Sequence, residues 1–208
     1  QLSASAKSVI RKTTRRNLST NLTMSERIKY QGRILEIVEF DVTQAGKNMV
    51  FEKARRSPGV RLIIPAGTDI LLTREERHEV GGYDFRLPGG KVIDTLEEYN
   101  ATIASGANIQ DIAKEAALRE IREEVGLAVE LKELSFFHKS VCGTTVEWDL
   151  YYFVVNAFTK GQQAFEEGED ISVQSFSHEA VRAMCLDGSI QEERSALVLL
   201  WYLESLHK

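Results

Sequence analysis

The stretch of sequence that decides the fold is DIAKEAALREIREEVGL, Asp111 to Leu127. It predicts a short helix, with good helix formers in its first half, Asp111 placed to cap its start and Gly126 placed to end it. At about 100° per residue, apolar side chains share one side of this helix and acidic side chains share another. The apolar side holds Ala117, Leu118, Ile121 and Val125, and the acidic side holds Glu120, Glu123 and Glu124.

The acidic side of this helix needs a physical explanation. Three carboxylates within one helical turn repel each other unless a cation lies between them. Ligands that are all oxygen favour Mg²⁺ or Mn²⁺ over softer metals. The helix therefore predicts a site for a divalent metal ion, and the alternative is a solvated helix whose Glu and Arg side chains pair four residues apart.

Length and composition indicate an ordinary globular protein. A chain of 208 residues, 43% hydrophobic and 27% charged, can bury the core of one domain with an extra element. No apolar run approaches the length of a membrane span. Cys142 and Cys185 lack the spacing of a zinc site, so we expect structural thiols and a cytoplasmic protein.

The charge of the chain is unevenly distributed. Residues 1–23 contain five basic residues and no acidic one, so the remainder has 21 basic against 31 acidic residues, a net charge of −10. Such a body is poorly suited to nonspecific binding of nucleic acid. The basic, Ser- and Thr-rich leader is also typical of an organellar transit peptide, although Met24 is an equally good start of the native chain.

Patterns typical of β-strands occur on both sides of the acidic helix. GRILEIVEFDV (32–42) and MVFEKARR (49–56) predict an N-terminal β hairpin, and VRLIIPA (60–66) and ILLTREER (70–77) predict core strands. A short strand, FRL (85–87), runs into the flexible turn Pro88-Gly89-Gly90. Later strands are predicted in VELKELSFFHKSV (129–141), EWDLYYFVVNAF (147–158) and ISVQSF (171–176).

The remaining segments complete an α/β (α+β) domain of layered helices and strands. Residues 93–110 are predicted to be a polar loop with at most one helical turn, at residues 96–101. Ser177 is placed to cap a short helix. A closing helix over residues 190–206 carries Leu197, Leu200 and Trp201 on one stripe, which we expect to pack on the sheet.

The acidic helix resembles the core of the Nudix box. Residues 119–127, REIREEVGL, fit every position of the pattern R-E-U-x-E-E-x-G-U, where U is a bulky aliphatic residue, and residues 87–91, LPGGK, resemble the glycine-rich turn that starts the box. One departure is clear. Twenty residues instead of five separate Gly90 from Asp111, which stands where the family pattern has a glutamate, so the intervening loop is enlarged by 15 residues.

The resemblance extends to the branch of ADP-ribose pyrophosphatases. It implies a Nudix fold, a mixed sheet sandwiched between helices, with residues 24–57 as an N-terminal hairpin that forms a homodimer and residues 58–208 as the hydrolase domain. It implies that Mg²⁺ or Mn²⁺ is held by Glu120, Glu124, the Gly89 carbonyl and, as a shared or outer ligand, Glu123, which Arg119 orients. It also implies a general base in the polar, acid-rich loop predicted at Lys160 to Asp170, Glu167 or else Glu169, with Glu166 as a rival.

Substrate contacts are also implied by the resemblance. Arg56 and Arg77 occupy positions of arginines that face phosphates or the base, with Arg74 and Arg86 as rivals. Tyr30 or Phe40 is a candidate for stacking on adenine, although packing in the core is the better interpretation of both. His138, at a predicted strand end, is interpreted as structural.

The resemblance implies hydrolysis of a nucleoside diphosphate linked to a sugar, with ADP-ribose cleaved to AMP and ribose 5-phosphate as the first expectation. Two alternatives are another substrate, such as a nucleoside triphosphate, a dinucleotide or NADH, and a non-catalytic regulator that binds nucleotides. The complete set of Glu120, Glu123 and Glu124 argues against a regulator.

Overall fold

The computed structural model describes residues 26–77, 81–161 and 171–207. Strands lie at Glu26–Gln31 (β1), Glu36–Gln44 (β2), Lys47–Arg55 (β3), Gly59–Ile63 (β4), Pro65–Ala66 (β5), Asp69–Arg77 (β6), Gly82–Arg86 (β7), Leu127–Ala128 (β8), Leu134–Ser140 (β9), Val146–Glu147 (β10), Leu150–Val155 (β11), Thr159–Lys160 (β12) and Ile171–Ser177 (β13). Helices lie at Leu96–Ser105 (α1), Ile109–Glu120 (α2), His178–Asp187 (α3) and Glu193–Ser205 (α4). Among these helices none is long and apolar enough to cross a membrane.

A mixed sheet lies at the centre of the protein, in the order β4-β11-β9, with β4 and β11 parallel and β11 and β9 antiparallel. Alternation along β4 divides the core into two halves. Val60 and Leu62 face α2, where they pack with Ala117 and Ile121. Ile63 faces the opposite side, which α3 and α4 cover. The predicted sandwich of a mixed sheet between helices is confirmed.

A second sheet joins β13, β6 and β5, with β7 also paired to β6. A tight turn at Gly67 and Thr68 joins β5 to β6, which pair across it, and Gly67 has a φ of 69°. Ser177 accepts a hydrogen bond from Ala180 N–H at the start of α3, as predicted for a helix cap.

The N-terminal sheet has the order β1-β2-β3-β10, so the predicted hairpin of β2 and β3 gains a third strand and a short partner from the body of the domain. A buried network of charges lies beneath it. Arg55 is 6% exposed and forms ion pairs with Glu26, Glu36 and Glu147. The pairs with Glu26 and Glu36 join the three N-terminal strands, and the pair with Glu147 joins the hairpin to the body of the domain.

Residues 93–110 differ from the prediction. Instead of a loop with one turn, they contain the three-turn helix α1, which begins at the cap Thr95 and ends at Gly106. Its Tyr99 is buried, and the side chain of Asn100 donates a 3.0 Å hydrogen bond to the buried Glu36. The sequence of α1 is polar because the helix buries only a narrow face, which weakens its periodicity.

The acidic helix is longer than predicted. It starts at Ile109, and its cap is Asn108, which accepts a hydrogen bond from Gln110 N–H; the predicted cap Asp111 lies in the first turn instead. Past Glu120 the backbone widens into a π-helical segment, Ile121–Val125, which ends at Gly126 with a φ of 69°. Gly126 therefore ends the helix as predicted. Widened turns of this kind occur often at functional sites.

The predicted buried stripe of α4 was wrong. Leu197 and Trp201 are 47% and 46% exposed, whereas Val198, Leu199 and Tyr202 are buried. Apolar residues occur almost all round this helix, so periodicity could not select the buried face. Packing against α3 and the central sheet selects it instead.

Candidate active site

The glycine turn crosses the edge of β4 and meets the acidic helix. Val60 N–H donates to Gly90 O and Leu62 N–H donates to Pro88 O, so the turn is held like an additional strand. Gly89 has a φ of 144°, and a Cβ there would lie 2.1 Å from the Val60 carbonyl oxygen. No other residue type fits this position without moving the backbone.

Glu120 and Glu124 approach this turn from the helix. Gly89 N–H donates a 2.8 Å hydrogen bond to Glu124 Oε2. A Cβ on Gly90 would lie 2.6 Å from the Glu120 carboxyl group, so the absence of a side chain there makes room for this carboxylate. The spacing of the box thus brings two of its glutamates against its two glycines.

The surroundings of Glu124 disfavour its ionised form. Burial, together with repulsion from Glu120 and Glu75, raises the pKa of Glu124 to about 8. The hydrogen bond from Gly89 and the charge of Arg61 act in the opposite direction. A buried carboxylate that is hard to ionise is typical of a functional site. Glu75 on β6 was missed at the sequence level, because its strand pattern marks it only as polar.

Glu123 and Arg119 are arranged differently from the prediction. Glu123 lies near two arginines, 3.8 Å from Arg119 Nε and 3.6 Å from Arg122 Nη2. The first distance is too long for a hydrogen bond. Arg119 instead donates to Glu120 Oε1 at 3.1 Å and to the Lys91 carbonyl at 2.9 Å. Arg119 therefore orients Glu120 and ties the helix to the residue that follows the glycine turn.

Carboxylate oxygens are the type of ligand that a hard divalent cation prefers. Glu120 and Glu124 offer carboxylate oxygens, and their mutual repulsion would be relieved by Mg²⁺ or Mn²⁺. Across residues 26–77, 81–161 and 171–207, no three His, Cys, Asp or Glu side chains converge closely enough to form a complete metal site. The structure thus brings together one pair of carboxylates at the glycine turn.

Several predicted residues lie outside the described part of the chain. Glu166, Glu167 and Glu169, the candidate bases, belong to residues 162–170, which the structure does not describe. Arg77 ends β6, but its side chain is not described. The roles of these residues stay predictions.

The other candidate arginines have partners in the structure. The guanidinium group of Arg56 lies over the indole ring of Trp148, 4.3 Å from its centre. Arg74 lies over the ring of Tyr83, and Arg86 donates a 2.8 Å hydrogen bond to Asp84. Only Arg86 lines the cleft described next.

The structure contains a cleft of about 740 Å³. Its lining includes Arg61, Arg86, Trp148, Glu192 and Arg194. The charge of Arg61 also acts on Glu124, which places one end of the cleft near the acidic helix. Its volume lies in the range of small-molecule sites, roughly 300–1,000 Å³.

The cleft contains functional candidates that sequence reasoning missed. Arg61 is buried on β4 and donates a 3.0 Å hydrogen bond to Glu192, which precedes α4. Ser195 also donates to Glu192, at 2.7 Å. A charged residue inside the apolar run VRLII was the available signal for Arg61, because a buried arginine requires a partner.

The predictions for aromatic residues have mixed outcomes. Tyr30 is 59% exposed, so its interpretation as a core residue was wrong. Phe40 stacks on Phe51 at 5.9 Å, on the N-terminal sheet and not in the core. His138 packs edge-on against Trp201 with ring centres 5.0 Å apart, and burial lowers its pKa, in agreement with a structural role.

Comparisons with known proteins agree with this geometry. The family model of the NUDIX domain matches residues 54–196. A crystal structure of an ADP compounds hydrolase aligns with a TM-score of 0.67 and 19% identity, covering 89% of this chain and 94% of that one, which shows a common fold. No protein among the curated proteins matches the sequence significantly. By its family match, its glycine turn and its acidic helix, the chain belongs to the NUDIX domain family.

Proposed function

We propose that the protein hydrolyses the pyrophosphate bond of a nucleoside diphosphate linked to a sugar, with the aid of Mg²⁺ or Mn²⁺. The observation that carries this proposal is the convergence of Glu120 and Glu124 on the turn Gly89-Gly90. The charge of Arg61, which lines the cleft, also acts on Glu124. ADP-ribose, cleaved to AMP and ribose 5-phosphate, is the substrate to test first. The crystallised structural neighbour is an ADP compounds hydrolase, which supports this choice.

The reaction is the attack of water on one phosphorus atom of the pyrophosphate. The water oxygen forms a bond to that phosphorus, the bond to the bridging oxygen breaks, and the bridging oxygen leaves with the other phosphate. A bound divalent ion supplies neutralisation of the phosphate charge and a lower pKa for the attacking water. Glu120 and Glu124 are the proposed ligands, together with the Gly89 carbonyl and Glu123 as an outer ligand.

The chain must also accept a proton from the attacking water. Glu167 is the proposed general base, with Glu169 as second choice and Glu166 as a rival, because a carboxylate within hydrogen-bond reach of the attacking water can accept its proton. Arg119 holds Glu120 through its 3.1 Å hydrogen bond. Arg56 and Arg77 are proposed to contact the substrate, and we expect a cytoplasmic homodimer in which residues 24–57 form the interface.

Turnover of defined compounds tests the proposed function. Purified protein is incubated in Mg²⁺ or Mn²⁺ with ADP-ribose, ADP-glucose, GDP-mannose, NADH, diadenosine polyphosphates and nucleoside triphosphates, and the products are separated. We expect AMP and ribose 5-phosphate from ADP-ribose. Preferential cleavage of triphosphates or dinucleotides would move the protein to another substrate class, and no turnover of any compound would reject hydrolysis.

Substitution of Glu124 tests the assignment of the site. Glu124→Gln removes a charged ligand while its side-chain oxygen can still accept from Gly89 N–H, so we expect turnover to fall by about 10³-fold or more with the fold retained. Glu115→Gln is the matched control, because Glu115 is an exposed residue of the same helix. Equal rates for both variants would show that the acidic pair is not the metal site.

A further inference from the structure

Trp148 is surrounded by positive charge. The guanidinium groups of Arg56 and Arg194 lie over its indole ring, each 4.3 Å from the ring centre. Arg194 also donates a 2.8 Å hydrogen bond to the Trp148 carbonyl oxygen. Trp148 therefore holds Arg194 through both its ring and its carbonyl group. Cations at this distance are attracted to the face of the ring. They also cover the part of the ring on which a nucleobase would otherwise stack.

The positive charge in this region exceeds its negative charge. Glu192 accepts the 3.0 Å hydrogen bond from Arg61, whereas Arg194 Nη2 lies 3.8 Å from Glu192 Oε1, beyond hydrogen-bond distance. Arg56, Arg61 and Arg194 are thus the cations around Glu192, and with Glu193, which also lines the cleft, the formal charge of this group is +1. Burial and repulsion from Arg61 and Arg194 lower the pKa of Arg56, in agreement with an uncompensated cluster.

Helix α4 adds to this field. Its first residues, together with Gln191 and Glu192, line the cleft. Glu192 occupies the cap position but its side chain makes no cap hydrogen bond, since it is engaged by Arg61 and Ser195. The start of a helix carries partial positive charge and favours anions. The cleft thus combines arginines, a helix start and an aromatic ring covered by cations.

We propose that this cleft binds the sugar phosphate half of the substrate, with Arg194 contacting the phosphate and Trp148 acting as a positioning residue for Arg194. The assignment rests on the proposed function, because it divides one substrate between the acidic pair and the cleft. Phosphate suits the excess positive charge. A nucleobase is disfavoured here because guanidinium groups already occupy the tryptophan ring, so the base binds elsewhere.

Fluorescence of Trp148 provides a test that requires neither metal nor turnover. The chain has two tryptophans, so Trp201→Phe makes Trp148 the only one. In this background, with EDTA present, ribose 5-phosphate, AMP and inorganic phosphate are titrated separately. We expect a saturable change in emission, with ribose 5-phosphate binding more tightly than AMP or inorganic phosphate.

Variants of Arg194 identify the contact. Arg194→Gln should weaken the binding of ribose 5-phosphate by about tenfold or more, and Arg194→Lys by less, because lysine keeps the charge but not the planar fork. Arg182→Gln is the matched control, since Arg182 lies on α3 and forms an exposed ion pair with Glu204, at the opposite end of α4 from Arg194. In hydrolysis of ADP-ribose, Arg194→Gln should lower kcat/KM, because the phosphate that Arg194 contacts is one half of the pyrophosphate that is cleaved.

Three results would overturn the proposal. The first is the lack of any saturable change in emission, and the second is equal binding by the Arg194→Gln and Arg194→Lys variants and the parent protein. The third is tighter binding of AMP or inorganic phosphate than of ribose 5-phosphate. Because these titrations contain no metal and measure no product, they can succeed where the turnover panel fails, or fail where it succeeds.

Discussion

Gly90 shows how a residue without a side chain can determine the position of a ligand. Since a Cβ at this position would lie 2.6 Å from the Glu120 carboxyl group, Gly90→Ala must displace that carboxylate. The backbone there needs no left-handed conformation, so we expect the fold to persist while affinity for Mn²⁺ falls by about tenfold or more. Binding is measured by the electron paramagnetic resonance of free Mn²⁺.

Gly82→Ala is the control for this experiment, because a Cβ at Gly82 meets no atom within 4 Å. Each variant adds one methyl group to a glycine: Gly82 begins β7, and Gly90 lies in the turn that follows β7. If Gly90→Ala bound Mn²⁺ as tightly as Gly82→Ala, Glu120 would not be a metal ligand.

The raised pKa of Glu124 predicts a conflict between function and stability. The pKa of Glu124 in the folded protein is about 8, above its ordinary value of 4.5. The contribution of this group to the free energy of unfolding is therefore complete below pH 4.5 and is lost as the pH rises through 8. Without metal, Glu124→Gln should avoid this loss. We expect its Tm at pH 8.5 in EDTA to exceed that of the parent protein by roughly 5 °C.

At pH 4 the same comparison should give nearly equal Tm values, because Glu124 is then protonated in both the folded and unfolded states. Glu115→Gln, on the exposed side of the helix, should match the parent at both pH values. A lower Tm for Glu124→Gln at pH 8.5 would show that the ionised carboxylate stabilises the fold.

Individual residues of the site were predictable to different degrees. The register of Glu120 and Glu124 against Gly89 and Gly90 follows from local spacing, because a helix and a turn fix their side chains. The contact of Arg61 with Glu192 joins residues 131 positions apart, and no local pattern encodes such a pair. Glu75 likewise enters the site only through the pairing of strands.

At the scale of elements, α1 stabilises the N-terminal sheet through a hydrogen bond to β2. Asn100 donates to Glu36, which is fully buried and paired with Arg55. Asn100→Ala leaves a buried carboxylate oxygen without this donor, so we expect a loss of about 1–2 kcal/mol in the free energy of unfolding. Urea unfolding measures the loss, and hydrogen exchange should increase in β2 and β3.

Glu97→Gln is the control on the same helix, because Glu97 is exposed in the first turn of α1. Equal stability of Asn100→Ala and Glu97→Gln would mean that the hydrogen bond from α1 does not stabilise the sheet. The enlarged segment was predicted as a loop because its polar sequence does not reveal that Tyr99 and Asn100 contact a distant hairpin.

Element types were predictable where periodicity was strong. The acidic helix, the hairpin of β2 and β3 and the core strand β4 follow from local patterns of apolar residues. The burial of α4 does not, since Leu197 and Val198 differ in exposure but not in chemistry. Only the position of α3 and the sheet distinguishes them.

At the scale of the whole molecule, the layered fold was predictable and the order of strands was not. Alternating runs of strands and helices favour a sheet between helices. The parallel pairing of β4 with β11 joins segments about 90 residues apart in the sequence, so the order β4-β11-β9 had to come from the structure.

The N-terminal sheet presents an apolar surface that supports the proposed homodimer. Phe40, Val42, Met49 and Phe51 lie on one face of the β2–β3 hairpin by their register, and Phe51 is 43% exposed. Exposed apolar patches of this kind mark interfaces. We expect sedimentation equilibrium to give about twice the chain mass of 23.4 kDa at micromolar concentration. Phe51→Asp should give a monomer, because dimerisation would bury an unpaired charge.

Glu52→Gln is the control for this variant, because Glu52 is an exposed neighbour whose side chain points to the opposite face of β3. It should sediment as the parent protein does. Melting curves must show that Phe51→Asp is folded, since loss of the stacked pair with Phe40 also removes a local contact. A parent protein with the mass of a single chain would contradict the dimer, and a dimeric Phe51→Asp would place the interface on another surface.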